Sequence, residues 1–281
     1  MQEKFKEIIL VPNDFTEVCA NATEYAAQAA KYLDYKLMIL HVLKSKASDE
    51  DKQKAQDKLD GIVEKVGSEH NIKADSIIGY GSIFSQIQKH AEKISAALIV
   101  LGTHGKKGMQ YLIGSNALRV ITKAPVPSIV VQNKPFEPLK NIVFPITDFT
   151  EARQKIKWAV HMAKTFDAKI HLFRQKQSDP GLNSKIETIT DQTREAFDKT
   201  DISYTLEQAE KKSHLPRQIT AYAEQIDADM IMIMTEPDIF SPDFSLGPWD
   251  EKIMFNEKEI PVMCINPVDL GEVHYAYLSM F

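Results

Sequence analysis

At 281 residues the chain suits two domains better than one, and 43% hydrophobic content is enough to build their cores. The formal net charge of −5 argues against a basic nucleic-acid-binding face. No apolar run approaches the roughly 20 residues of a membrane-spanning helix. The start, MQEKFKEIILVPND, lacks the long apolar stretch and small-residue cleavage site of a signal peptide. Cys19 and Cys264 lie far apart, form no CxxC, and read as small core residues in a reducing compartment. A cytoplasmic protein without nucleic-acid or membrane partners is the expectation.

The first strand is read at Lys6–Val11, ending at Pro12-Asn13-Asp14. Thr16 then caps a helix whose apolar stripe is Val18, Ala22, Ala26, Ala29 and Leu33. Lys36–Leu43 is a second buried strand. Ser48–Val66 is a charged helix with Leu59, Ile62, Val63 and Val66 facing inward, and its Lys/Asp/Glu run reads as a solvated face. Ala74–Gly79 is a weaker strand, and Ile83, Ile87, Ala91 and Ile94 mark a third helix. Ala97–Leu101 is a continuous apolar run, as a strand buried on both faces requires. It stops at a loop punctuated by Gly102, Gly105, Gly108 and Gly114, and Ser115-Asn116 leads into a helix carrying Ala117, Val120 and Ile121. Pro127–Gln132 is a fifth strand.

The pattern then restarts. KEIILVPNDFTE from Lys6 is echoed by KNIVFPITDFTE from Lys140, an offset of 134, with Asp14-Phe15-Thr16-Glu17 recurring as Asp148-Phe149-Thr150-Glu151. ADMIMIMT (Ala228–Thr235) matches AALIVLGT (Ala96–Thr103), and IPVMCINP (Ile260–Pro267) matches VPSIVVQN (Val126–Asn133). One α/β unit is duplicated. The division is residues 1–134, a linker at 135–139 with Pro135 and Pro138, and 140–281. Strands alternating with helices give parallel pairing and right-handed crossovers, so each half is an open sheet with helices on both faces. A ligand in such a sheet lies at the carboxyl ends of the strands, at the switch point of strand order.

In the first half the Pro12–Asp14 turn and the Gly102 loop converge on that point. A glycine loop followed by a capped helix presents free N–H groups and a positive helix end to an anion. Glycine spacing alone fits an empty βα connection as well. His104 is placed to hydrogen-bond a phosphate or to act as a base on water, although a backbone requirement explains its place as simply. Lys106 and Lys107 are available to steer a polyphosphate. The other histidines (His41, His70, His90, His161, His171, His214, His274) show no metal-ligand spacing, and His41 and His171 read as core or interface groups on strands. No HExxH and no GxxxxGK[ST] occur, and Gly79-Tyr80-Gly81 lacks the third glycine of a dinucleotide fingerprint because position 84 is Phe84. No nucleophile with its base and orienting group can be assembled, so any hydrolysis is expected to be slow.

These residues resemble the universal stress protein family in its tandem two-domain form, over nearly the whole chain. The family's nucleotide-binding members carry Gly, two residues, Gly, nine residues, then Gly-Ser or Gly-Thr. Here Gly102, Gly105 and Gly114-Ser115 match, with eight residues between Gly105 and Gly114. The resemblance implies ATP or a related adenine nucleotide, with or without Mg²⁺, and strand order 3-2-1-4-5 in each half. It also implies pairing of the two Rossmann-like halves through their fifth strands. By position, Asp14 is placed near adenine and ribose with Pro12 and Asn13 beside it, and Val42 forms an apolar wall against the base. Leu101 and Gly102 close the pocket, and Gly105, Gly114, Ser115 and Asn116 hold the phosphates.

The second half keeps Asp148 but has no GxxG after Met234-Thr235, and Glu236 and Asp238 would repel phosphate. It reads as a degenerate site serving packing, pairing or sensing. Phe240, Phe244 and Trp249 are either a partner surface or a cover over the strand ends. The alternation in His274–Leu278 reads as an added edge strand or as a segment swapped onto a neighbouring molecule. Three functions stand: a stress-response regulator binding ATP in the first half, a nucleotide-free interaction scaffold, and an enzyme with slow ATP hydrolysis or chemistry on a phosphorylated small molecule. An unidentified protein partner and a homodimer belong with the first two.

Overall fold

The computed structural model describes residues 7–103, 120–235 and 248–267. His104, Gly105, Gly114, Ser115 and Asn116, the aromatics Phe240 and Phe244, and the tail from Val268 lie outside those residues. The first half runs β1 (Ile8–Pro12), α1 (Glu17–Leu33), β2 (Lys36–Leu43), α2 (Asp49–His70), β3 (Ala74–Tyr80), α3 (Ile83–Lys93), β4 (Leu98–Gly102), a helical stretch at 120–123, and β5 (Ser128–Val131). The second half runs β6 (Asn141–Ile146), a 3-10 turn (Thr150–Lys155), α4 (Ile156–Phe166), β7 (Lys169–Arg174), α5 (Pro180–Lys199), β8 (Tyr204–Gln208), α6 (Leu215–Gln225), β9 (Met230–Met234), α7 (Pro248–Met254) and β10 (Val262–Ile265).

Local chemistry sets these boundaries. Thr16 accepts the Cys19 amide at the start of α1, and Asp34 ends that helix in the left-handed region. Ser48 and Asp51 form a reciprocal capping box on α2. That helix runs past Val66 to His70, because Gly67 is spanned and Asn71 supplies the left-handed end. Ile83, placed on the inner stripe by its spacing, is exposed at the first turn of α3.

The ten strands of the described residues form one sheet in the order β3-β2-β1-β4-β5-β10-β9-β6-β7-β8. This is 3-2-1-4-5 followed by its mirror image, parallel within each half. At the seam β5 and β10 pair antiparallel, with Val130 opposite Val262 and Ser128 opposite Cys264. The fifth strands therefore pair within one chain, as the family resemblance implied. Side chains alternate across the strands, so Ile9, Val11, Leu37 and Ile39 pack under α1 and α2 while Leu10, Leu40, Ile99 and Leu101 face α3. Each of the two cores continues across the seam into the second half.

Two amides lock the halves reciprocally. Asn266 donates to the carbonyls of Ile121 (2.6 Å) and Ala124 (3.0 Å) at the end of the first half's 120–123 helix. Gln132, at the matching place, donates to the Asn256 carbonyl (3.1 Å) just after α7. The linker is packed: Phe136 and Leu139 are buried, and the Phe136 ring meets Tyr25 at 5.0 Å and Tyr32 at 5.6 Å. Just after Trp249, in the stretch read as either a partner surface or a cover over the strand ends, Ile253, Met254 and Phe255 are buried in the core.

Histidines on strands and at the seam make stability depend on pH. His161 on α4 meets the Tyr35 hydroxyl of the first half at 3.0 Å. On β7, His171 lies 3.0 Å from both Asn141 Oδ1 and Thr205 Oγ1. Burial, and then the neighbouring Lys157 or Lys169, lowers the pKa of each below its ordinary 6.5. The unfolded chain therefore binds these protons more readily than the folded one. Stability contributed by the neutral rings is present above pH 6.5 and is lost as pH falls below it. Melting temperature should drop on going from pH 7.5 to 5.5, and His161→Gln should flatten part of that slope. A flat profile in the unmodified chain would refute this assignment.

Candidate functional site

β1 and β4 are in register only at Ile9–Leu98 and Leu10–Ile99, yet the strands run on to Pro12 and Gly102. They part at their carboxyl ends, at the point where strand order reverses. The fork is bounded by the Pro12–Thr16 turn on one side and by Leu101, Gly102 and the start of the glycine loop on the other.

The turn is built around Asn13, which is 4% exposed. Its side chain donates to Thr23 Oγ1 (2.9 Å) and accepts the Phe15 amide (2.7 Å). Its own amide reaches the Leu40 carbonyl (2.8 Å). Its carbonyl lies 2.7 Å from His41 Nδ1, and since a carbonyl only accepts, this contact fixes the His41 proton on Nδ1. Asn13 thus shapes the turn as a positioning residue. It holds Phe15 at a φ of 68°, a conformation that costs a non-glycine residue about 1–2 kcal/mol. The Phe15 ring stacks on His41 at 4.3 Å, with Lys58 Nζ 4.9 Å from its centre.

Asp14 stands exposed at the tip. Its Oδ1 accepts the Thr16 amide (3.0 Å) and hydroxyl (2.6 Å). Partial burial raises the carboxyl pKa, but hydrogen bonds from the Thr16 hydroxyl, the Cys19 thiol and the Thr16 amide outweigh it. The group lies below the ordinary 3.8 and is a carboxylate at neutral pH. Val42, half-buried, lines a cleft of about 490 Å³ at the end of β2, together with Phe15, His41, Lys44, Lys54 and Lys58. Leu101 is buried in the core facing α3. Gly102 has a packing reason for being glycine: an added Cβ would stand 2.7 Å from the Val18 carbonyl oxygen and 3.1 Å from Ala22 Cβ. The structure brings Pro12, Asn13, Asp14, Leu101 and Gly102 to the fork, with Val42 at the next strand end.

The second half repeats the sequence of the turn but not its shape. Phe149, the counterpart of Phe15, has φ −76° and ψ 112°, and a 3-10 turn precedes α4 where α1 begins directly. Met234 occupies the place of Gly102 and is buried. In this fork sits Lys155, 2% exposed, donating to the Pro145 carbonyl at 2.5 Å and the Met232 carbonyl at 3.4 Å. Its ammonium is 4.1 Å from the centre of the Phe144 ring. β6 and β9 pair only at Ile142–Met230 and Val143–Ile231, so Lys155 bridges carbonyls of strands that have already parted. The spacing gave no hint of this lysine. The one readable signal was Met234 aligned with Gly102.

The sequence model of the Universal stress protein family matches residues 6–132. A curated universal stress protein of Methanocaldococcus jannaschii is 31% identical over 147 residues, covering 46% of this chain and 84% of that protein. Among solved structures, a universal stress protein of Archaeoglobus fulgidus superposes with a TM-score of 0.75 at 20% identity, over 94% of this chain and 99% of that one. A functionally unknown protein of Pseudomonas aeruginosa gives 0.60 at 17% identity, over 98% and 97%. Both structures bear on the fold. No described helix is long and apolar enough to cross a membrane.

Proposed function

Since this chain belongs to the universal stress protein family, we propose that its first half binds one adenine nucleotide, ATP, and that occupancy regulates contacts with a protein partner during stress. The supporting observation is the fork between β1 and β4, with the Asp14 carboxylate held on one side and the glycine loop leaving from the other. Asp14 serves the ribose and base, Val42 walls the base, and Gly105, Gly114, Ser115 and Asn116 take the phosphates, with His104 beside them. Pro12 and Asn13 shape the turn, and Leu101 and Gly102 close the floor. Mg²⁺ fits as a companion of the triphosphate rather than as a resident of the protein. The second half takes no nucleotide, because Lys155 and Met234 fill its fork.

Calorimetric titration of the nucleotide-stripped protein with ATP and Mg²⁺ tests this. The expected result is one site per chain, lost in Gly114→Val, whose side chain blocks close approach of backbone to phosphate. No heat with the unmodified protein would overturn the reading and leave a scaffold that keeps the family's fold without its ligand.

A further inference from the structure

Away from the fork, one group of side chains combines metal-ligand chemistry with metal-ligand geometry. Among the described residues, Glu24 on α1 and Glu69 and His70 at the end of α2 each offer a ligand atom within 4.8 Å of the other two. His70 Nε2 is shut off from water and lies 2.9 Å from Glu24 Oε1, yet off the line a hydrogen bond requires. A buried ring nitrogen without a well-aimed partner is costly. An ion between the ring and the two carboxylates would satisfy all three groups together.

We propose that Glu24, Glu69 and His70 form a site for a borderline-soft divalent transition ion, of which Zn²⁺ is the representative. One imidazole with two carboxylates favours such ions over Mg²⁺ and Ca²⁺, which prefer all-oxygen shells. Three protein ligands leave the fourth tetrahedral position to water. With metal–ligand bonds near 2.1 Å the donor atoms stand roughly 3.4 Å apart. The Glu24–His70 pair, now at 2.9 Å, therefore opens slightly to admit the ion, and rotation of the exposed Glu69 brings in the third ligand. Gln28 already donates to Glu24 Oε1 at 2.9 Å, the kind of outer contact that orients a ligating carboxylate. Asn71 ends α2 directly after His70, so the helix's carbonyl end adds negative potential at the site. The bound ion clamps the end of α2 to α1, the helix whose N-cap, Thr16, donates to the Asp14 carboxylate.

The test uses the full chain, freed of metal and titrated with ZnCl₂, and in parallel with CoCl₂ followed by visible absorption. One site is expected, with the strong d–d bands of low-coordinate Co²⁺ and no competition from excess MgCl₂. His70→Ala and Glu24→Gln should each weaken binding at least about a hundredfold, the upper range for loss of a mere outer-shell partner. Glu24→Gln preserves shape, so a loss there with an unchanged melting curve reads out ligation and not folding. Absence of uptake would show that His70 and Glu24 form only an ion pair. Uptake that survives both substitutions would place the ion elsewhere. Either result overturns the proposal.

Discussion

Lys155→Ala should destabilise the chain by about 3 kcal/mol, and Lys155→Met by about half as much. An ammonium 2% exposed is tolerated only because its protons are engaged, here by the Pro145 and Met232 carbonyls, with the Phe144 ring against the charge. Truncation to alanine leaves those carbonyls buried without that donor, at about 1–3 kcal/mol for an orphaned group, and opens a cavity as well. Removing the ammonium also relieves its own desolvation, which holds the sum of two orphaned carbonyls and a cavity to about the upper end of that range. Methionine refills the volume without the proton donors, so the difference between the variants measures the cavity separately from the hydrogen bonds. Urea unfolding of both variants decides this. Equal stability of Lys155→Ala and the unmodified chain would mean that the parted strands need no bridge. In neither variant should the second half gain a nucleotide site, because Met234 still fills the fork.

The fold was largely legible because its signals are local. Short apolar runs such as Lys36–Leu43 have the length of a buried strand, and that strand occupies those residues. Thr16 and Ser48 are capping residues and do cap. The duplication at an offset of 134 follows from matched blocks alone. Strand order and the β5–β10 seam, in contrast, came with the family resemblance, since no residue pattern states which edge meets which. At the site, Asp14 and Gly102 were readable because a turn and a glycine interrupt apolar strands at their carboxyl ends. Lys155 was not, since a lysine in a polar stretch reads as surface unless the parted strands above it are known. The tetrapeptide shared by Asp14–Glu17 and Asp148–Glu151 adopts two conformations, so its shape is not a local property. What differs is tertiary: Asn13 against Thr147 before the phenylalanine, and Gly102 against Met234 across the sheet. His70 and Glu24 are far apart in sequence and meet only because α1 and α2 pack side by side.

Gly102→Ala should be the most damaging single substitution in the first half, costing about 3 kcal/mol and abolishing nucleotide binding where Gly114→Val abolishes binding alone. The new methyl would stand 2.7 Å from the Val18 carbonyl oxygen, 2.9 Å from Val18 Cγ1 and 3.1 Å from Ala22 Cβ. Overpacking of this kind ordinarily costs 1–3 kcal/mol, and the upper end applies because the nearest atom is backbone inside a helix, which no rotamer change can move. Trimming the neighbour in Gly102→Ala/Val18→Ala removes the second contact but not the first, so rescue should be partial. The second half shows the alternative: with Met234 at the matching position, a 3-10 turn stands where the first turn of α1 would be. A displaced α1 start would carry Thr16 with it and release the Asp14 carboxylate from the hydroxyl and amide that hold it at the fork. Thermal melting and ATP titration of the single and double variants separate the two effects. If Gly102→Ala melts within a degree or two of the unmodified chain, α1 can shift freely and the glycine serves the ligand alone. If stability falls while affinity holds, the Asp14 turn is independent of the helix that follows it.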